Sequence, residues 1–301
     1  MAVEFATIVE DLQERLRPLK ARLFPRQVLI ELGDAGLKGQ VLADGRPGNV
    51  RFEAPLPPLT CRGGMPLERE PIGDLIGDLM VRDKLMEAFV MAALPPAAVT
   101  LRLIEWPAGE PVPEDPIEAL REYQGSSLRL PFQLSEAVLD ICPLPGSGSR
   151  AILAASPRPL IEAWIQVFNH AGARLERLAP AQSCCFLALT SHLVGVSSRD
   201  LVVLVAPGPD ETRLLMLRDG APRFDRPIAN NGTQLVEDAL RSIRFYRRAD
   251  PEVGSIRLTH SAPIPEIQTL AEALSVDAES IASAPFDSLV MEGLAVPEAA
   301  T

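Results

Sequence analysis

The sequence predicts an α/β fold of two pseudo-equivalent lobes facing one another, and an internal repeat with the patterns that flank it predicts this. Residues 27–56, QVLIELGDAGLKGQVLADGRPGNVRFEAPL, read as a strand, a Gly-containing turn, a second strand Lys38–Leu42, an Asp44-Gly45 turn and a third strand stopping before a proline. Residues 201–228 repeat that grammar. A β-branched and Leu run is followed by a Pro/Gly turn, a second apolar run Arg213–Leu217, an Asp219-Gly220 hairpin signal and a third strand ending near Ile228. Helical periodicity follows each unit. A repeat fixes architecture before detail, and two such units in opposition aim their strand–strand turns into one cleft.

The elements between and around the units follow in order. Met1–Phe24 carries Phe5, Ile8, Val9, Leu12, Leu16, Leu19 and Leu23 at helical spacing, with Pro18 as a kink or stop, and reads as a partner-docking or self-packing helix. After the first unit, a Pro/Gly-rich passage leads to a helix with Ile72, Leu75, Ile76, Leu79, Met86, Phe89 and Val90 on one face, ended by Pro95-Pro96. Val99–Trp106 is a strand, and the acidic Pro107–Pro116 a loop or subdomain junction. Ile117–Tyr123 is helical, and Ala137–Cys142 and Ala151–Ala154 form a hairpin around a Gly/Ser turn. An amphipathic helix Pro159–Ala171, a short strand Arg174–Leu178 and a small-residue helix Ala181–Leu193 lead to the second unit. Beyond it come a helix Thr233–Arg248, a strand Ser255–Thr259, a helix Ile264–Leu274 and a closing segment Phe286–Ala295. On the helix Thr233–Arg248, Arg241, Arg244 and Arg248 oppose the apolar face and read as a solvated charged surface.

Composition narrows the function. With 301 residues, 47% hydrophobic, the chain can bury one large core or several smaller ones. A formal net charge of -11 argues against nucleic acid as a partner. Cys61, Cys142, Cys184 and Cys185 lack metal-ligand or disulfide-framework spacing and read as reduced cytosolic thiols. No apolar run approaches the roughly 18 residues of a membrane span, so the expectation is a soluble chain. There is no GxxxxGK[ST] loop and no HExxH, and none of the three histidines sits near a cysteine at ligand spacing. No metal site is expected.

Several phrases, in this order along the chain, resemble the PilM family of type IV pilus assembly proteins, which is actin-like and related to FtsA. They are Ala93-Leu94-Pro95 with Val99–Trp106, the run LPFQLSEAVLD at 130–140, Ala154–Val167, Leu178-Ala179-Pro180, MLRDG at 216–220 and Arg241–Tyr246. The resemblance spans about Gln27 to Val296 and implies a duplicated actin-like, ribonuclease H-like two-lobed fold with an inserted α+β subdomain. The expected layout is an N-terminal helix at 1–26, a first lobe at 27–98, the insertion at 99–178, a connecting helix at 179–200, a second lobe at 201–296 and a tail at 297–301.

Actin-like ATPases hold nucleotide between two Gly-rich hairpin turns and a third Gly-rich turn under the purine. All three depart from the family pattern here. In the first, Glu31, Gly33, Asp34, Gly36 and Lys38 stand in a D-I-G-S-S-S-x-K pattern, so Asp34 sets a negative charge where a hydroxyl donor would meet phosphate. In the second, Ala206, Pro207, Gly208 and Pro209 stand in a D-I-G-A-x-T-T pattern. A carboxylate is lost, and the two prolines lack the backbone N–H groups that cradle phosphate. In the third, His260, Ser261 and Ala262 replace an S-G-G-G-A pattern, and the imidazole reads as a plug, a polar surface residue or drift. The segment after Asn231-Gly232-Thr233 is also too short for the family's adenine-side subdomain, which is therefore reduced or missing.

These departures imply a pseudo-ATPase scaffold without cofactor. By resemblance it is cytoplasmic, peripheral to the inner membrane, and docks the cytosolic N-terminal peptide of a PilN-like membrane protein while coupling to the pilus motor ATPase. The candidate groove lining comes from the inserted subdomain Val99–Leu178, including Leu130, Pro131, Phe132 and Leu134, with ordinary core as the other reading of each. Two alternatives stay open. One is an ATP- and Mg-binding ATPase in which Glu31, Asp210 or Glu211 replaces the lost carboxylate; the other is the cytoplasmic domain of a type II secretion platform protein.

Overall fold

The structure is a computed structural model. It describes residues 26–296 except 44, 107–112, 114, 116–117, 119, 121–129, 145–148, 194, 209–210 and 282–283. The expected N-terminal helix, most of the expected helix at 117–123 and the tail at 297–301 lie outside the described residues.

Each lobe is one five-stranded sheet. In the first, β1 (Gln27–Leu32), β2 (Gly36–Ala43) and β3 (Arg46–Pro55) form an antiparallel meander, and β6 (Phe89–Leu94) and β10 (Arg174–Pro180) add in parallel to give the order β10-β6-β1-β2-β3. Between β3 and β6 lie a small hairpin, β4 (Cys61–Arg62) with β5 (Met65–Pro66), and helix α1 (Arg69–Arg82). The second lobe repeats the scheme with β11 (Leu201–Pro207), β12 (Thr212–Arg218), β13 (Ala221–Ile228), β14 (Ile256–His260) and β15 (Ala278–Ser280), in the order β13-β12-β11-β14-β15. One helix, α4 (Gly232–Ala249), joins β13 to β14, so no further strands intervene where an adenine-side subdomain was expected to be reduced or missing. Helix α5 (Glu266–Leu274) joins β14 to β15.

The insertion is a three-stranded sheet, β7 (Thr100–Glu105), β8 (Ala137–Pro143) and β9 (Arg150–Pro157), ordered β7-β9-β8. Its C-terminal boundary falls earlier than expected. Helix α2 (Arg158–His170) buries Leu160, Trp164, Val167 and Phe168 in the first lobe's core, and β10 pairs with β6, so the lobe resumes at residue 158 rather than after 178. The helix expected to run as far as Val90 also stops short. It ends at Arg82, Lys84 turns the chain with φ +56, and Phe89–Leu94 is a strand buried along nearly its whole length. A central parallel strand has no period-2 alternation, so its apolar run mimics a helix face.

The cores stack in layers. Helices α1 and α2 cover the outer face of the first sheet through Ile72, Ile76, Met80 and Trp164. Helix α3 (Ala181–His192) and the short α6 (Leu289–Leu294) fill the space between the sheets, where Leu29 and Met91 meet Val202 and Leu204 through Cys184, Leu189 and Met291. Helices α4 and α5 cover the outer face of the second sheet through Leu235, Ala239, Ile243 and Leu270.

Candidate functional site

Period-2 alternation sets the chemistry between the lobes. On β1, Val28, Ile30 and Leu32 face the outer core, so Glu31 faces inward; on β11, Val203 and Val205 face outward and Ala206 inward. Glu31 and Ala206 line one cavity of about 70 Å³ with Pro207, Gly208, Cys185, Ser261 and Ser288. Small-molecule sites measure about 300–1,000 Å³. The C-terminal segment accounts for the difference. Ser288 Oγ donates to Glu31 Oε2 at 2.6 Å, and Leu289 and Val290 wall the cavity.

That segment is clamped along its length. The buried Gln40 side chain donates to Pro285 O at 3.0 Å and accepts from Asp287 N at 3.1 Å. Arg51 pairs with Asp287 and donates to Pro285 O. His192 meets Glu292 at 2.9 Å, and Arg177 donates to Val296 O at 3.0 Å. Ser288 also caps α6 by accepting from Met291 N. Burial pushes the Glu31 carboxyl above its ordinary value, with the Ser288 hydrogen bond and Lys38 partly offsetting it. Burial likewise pushes the Cys184 thiol up to about 12 and Cys185 well upward, so neither is a poised nucleophile.

The three turns spend donors within the protein. In the first, Gly33 N donates to Gly36 O at 2.8 Å. Asp34 does not aim its charge at the cavity, as the sequence suggested. Its carboxylate accepts from Gly63 N and Gly64 N, at 2.5 and 2.7 Å, and from the Cys61 thiol at 3.4 Å. Gly63 and Gly64 both have positive φ and form a nest of successive N–H groups, whose anion is this carboxylate. Lys38 sits between cross-strand Glu31 and Glu53, 3.7 Å from the latter.

In the second turn Gly208 N donates to Glu211 O at 2.9 Å, and Thr212 N donates to Asn230 Oδ1. Pro209 and Asp210 lie outside the described residues. Glu211 and Asp225 both pair with Arg213, which leaves that arginine neutralised. In the third turn Ser261 N donates to Val205 O. His260 is buried, so the surface reading fails. Its Nδ1 lies 3.0 Å from Ala262 O and must be the donor, because a carbonyl only accepts. Among the described residues no group of three or more His, Cys, Asp or Glu side chains is arranged to hold a metal ion.

A larger space lies beside the cleft. It measures about 370 Å³ and is bounded by Val99 to Leu103, by Pro222 to Asp225, and by Gln182 and Phe186 of α3. Unbroken runs line both long sides. Side chains alternate along a strand, so such runs mean that strand edges, with their backbone groups, face the space. Strands β7 and β13 are the outermost of their sheets, and among the described residues neither edge has a strand neighbour. Arg223 Nη1 meets Glu105 Oε1 at 2.7 Å and ties the two edges together. Among the described residues, Gln182 Oε1 and Arg223 Nε are buried without hydrogen-bond partners, one an acceptor and the other a donor. Burial raises the Asp225 carboxyl, offset in part by Arg213.

The sequence reading drew its groove from the inserted region, and one wall, Val99 to Leu103, comes from there; the opposite wall on β13 was missed, because it belongs to a different sheet. The expected partner residues lie elsewhere. Leu130, Pro131, Phe132 and Leu134 run up to β8, the far edge of the inserted sheet, and line neither space; Leu134 is 47% exposed.

No protein-family model matches the chain, and no curated protein sequence does. Among solved structures it is similar to a PilM–PilN type IV pilus biogenesis complex, with TM-score 0.67 at 19% identity over 89% of this chain and 97% of the other. It is also similar to the cytoplasmic domain of EpsL, an inner-membrane component of the Vibrio cholerae type II secretion system, with TM-score 0.53 at 14% identity over 89% and 92%. A Bacteroides thetaiotaomicron protein with an actin-like ATPase fold gives TM-score 0.52 at 10% identity over 91% and 96%. The fold of this chain is actin-like.

Proposed function

We propose that this chain is a non-enzymatic actin-like scaffold of a type IV pilus inner-membrane platform. It holds the cytosolic N-terminal peptide of a PilN-like membrane protein in the groove between β7 and β13, and it neither holds nor hydrolyses ATP. The observation that carries the reading is the contrast between two spaces. The nucleotide position has shrunk to about 70 Å³ behind the segment 285–296, while a groove of about 370 Å³ presents two strand edges that have no strand neighbour among the described residues.

A Mg-nucleotide does not fit the residues present. The Gly63-Gly64 nest takes Asp34, Gly33 N and Gly208 N bond within their own turns, Ser261 N bonds to Val205 O, and Ala206 offers no carboxylate. An extended peptide fits the groove by strand addition, in which backbone hydrogen bonds supply affinity and alternate side chains supply specificity. The partner class rests on likeness, since a similar solved structure is a PilM–PilN complex. Among the described residues no helix is long and apolar enough to cross a membrane. On this reading the chain sits at the cytoplasmic face, held there by its partner, with the motor ATPase as its second contact.

The test is calorimetric titration of that N-terminal peptide into the wild type, Leu103→Asp and Phe132→Asp. Loss of binding in Leu103→Asp alone supports the β7 edge; loss in Phe132→Asp alone moves the partner to the β8 side. Mg-ATP binding tighter than about 100 μM, worth roughly 5.5 kcal/mol, would overturn the scaffold reading in favour of an ATP-gated one.

A further inference from the structure

The insertion is joined to the first lobe by chain and to the second by charge. Its two chain crossings, at residues 98–99 and 157–158, are neighbours, and Ser156 Oγ ties them by donating to Ala98 O at 2.8 Å. From there β7 runs outward and ends at Glu105, about 17 Å beyond Thr100. At that far end Glu105 lies opposite Arg150 in the β7–β9 register, and both reach over to the β12–β13 hairpin of the second lobe. Arg223 Nη1 donates to Glu105 Oε1 at 2.7 Å. Arg150 holds Asp219 twice, at Oδ2 (2.9 Å) and at the carbonyl oxygen (3.3 Å).

Acid and base alternate around this square of Glu105, Arg150, Asp219 and Arg223. Its geometry is built in by the local structure. Asp219 and Gly220, with φ +52 and +67, form a two-residue turn closing on Arg218 and Ala221, a conformation that suits Asp. Both arginine side chains are largely buried, and both carboxylates are about half exposed. Ion pairs of this exposure hold by severalfold rather than permanently.

The groove of about 370 Å³ lies between the crossings and the square, along Val99 to Leu103 and Pro222 to Asp225. Trp106 N donates to Ser149 O, so the alternate residues Leu101, Leu103 and Glu105 turn their N–H and C=O groups away from β9, toward the free edge. On the facing strand Pro222 and Pro227 remove two donors, which keeps the two edges from zipping into one sheet. Neither Glu105 nor Asp219 lines the groove, so neither contacts what fills it.

We propose that the square is a clasp that gates the groove: it holds the insertion against the second lobe, opens about the crossings at 98–99 and 157–158, and sets how fast an extended peptide enters and leaves. The ligand in this inference rests on the peptide-groove reading; the motion does not. The clasp closes over an empty groove and a filled one alike, so weakening it speeds entry and exit together and leaves affinity nearly unchanged. Loss of a mere brace for the groove would speed exit alone.

Two measurements on Glu105→Gln/Asp219→Asn test this. In a Cys142→Ser background, spin labels on Asp140→Cys of β8 and Arg241→Cys of α4, both exposed, report the separation of the two bodies by electron–electron resonance; the other three cysteines are buried. The wild type should give one narrow distance. Losing a pair favours opening by up to about fivefold, and losing both by up to about 25-fold, which lifts an open state of about 1% to roughly a fifth of the molecules at longer distance. Distances that match wild type overturn the clasp. Stopped-flow binding of the partner's N-terminal peptide should show both rates raised at least about threefold, with Kd within about twofold of wild type. Added salt should speed both rates in the wild type and not in the variant. A variant whose exit alone quickens overturns the gate. If the peptide binds neither protein, the groove reading fails while the spin-label distances still decide the clasp.

Discussion

Replacing Gly293 by Ala tests whether the C-terminal helix is what closes the cleft. A Cβ at this position would lie 1.8 Å from Cys184 O and 2.5 Å from its carbonyl carbon. Both are backbone atoms of α3, so no rotamer change relieves the overlap, and α6 must withdraw by about 1.5 Å or more to reach van der Waals distance. Full release would expose Leu289, Val290, Met291 and Leu294, all under 10% exposed. At about 1.5–3 kcal/mol each that is roughly 6–12 kcal/mol, comparable to the entire stability of a typical domain. The helix therefore shifts rather than leaves, and overpacking against backbone should cost about 3 kcal/mol, the upper part of the usual range. At about 2.1 cal/mol/K per residue, the melting temperature of a chain of 301 residues should fall by roughly 5 °C. Amide exchange should quicken at residues 288–296 while the outer layer around Trp164 stays protected. A variant melting within about 1 °C of wild type, with unchanged exchange, would refute the tight α3–α6 contact. If Mg-ATP binds the variant and not the wild type, the helix itself is the barrier to nucleotide.

Glu31→Gln should raise the melting temperature at neutral pH. The folded carboxyl holds its proton more tightly than the unfolded one, so wild-type stability declines as pH rises through 4.5 toward the raised value, and the loss persists above it; Gln keeps an acceptor for Ser288. The gain should vanish in melts at about pH 4 or below, and a loss at neutral pH would mean that Lys38 outweighs burial. Asp34→Ser should destabilise by about 1–3 kcal/mol in urea titrations, since a hydroxyl cannot take both nest donors; a neutral result would show the Gly63-Gly64 hairpin stands unaided. Ala206→Asp should produce no Mg-dependent phosphate release from ATP, and any saturable turnover would mean the remaining cleft is intact.

The duplication was legible because each meander writes its own punctuation: Gly and Asp-Gly turns sit between runs of β-branched and Leu residues, and the local rule decides the local structure. Where a residue's role depends on a distant neighbour, the sequence misled or was silent. Asp34 reads as a charge facing phosphate because its turn resembles a phosphate turn; its actual partner is a hairpin about 30 residues on. Arg174–Leu178 reads as part of the insertion because it follows it, whereas pairing with β6 places it in the lobe. The groove between β7 and β13 has no local signature at all, since an edge is defined by the absence of a neighbour. The closing segment carried one usable hint, a glycine at position 293 inside an apolar helix, which usually marks close backbone approach.

The bond from Ser288 to Glu31 joins residues 257 positions apart, and this imposes an order on synthesis. The first sheet's inner face, with Leu29, Leu42 and Met91, emerges from the ribosome long before α6 exists to cover it. At about 5–20 residues per second that face waits on the order of 10–50 s. Closure of that face is thus a late step, completed only when the last helix packs against it.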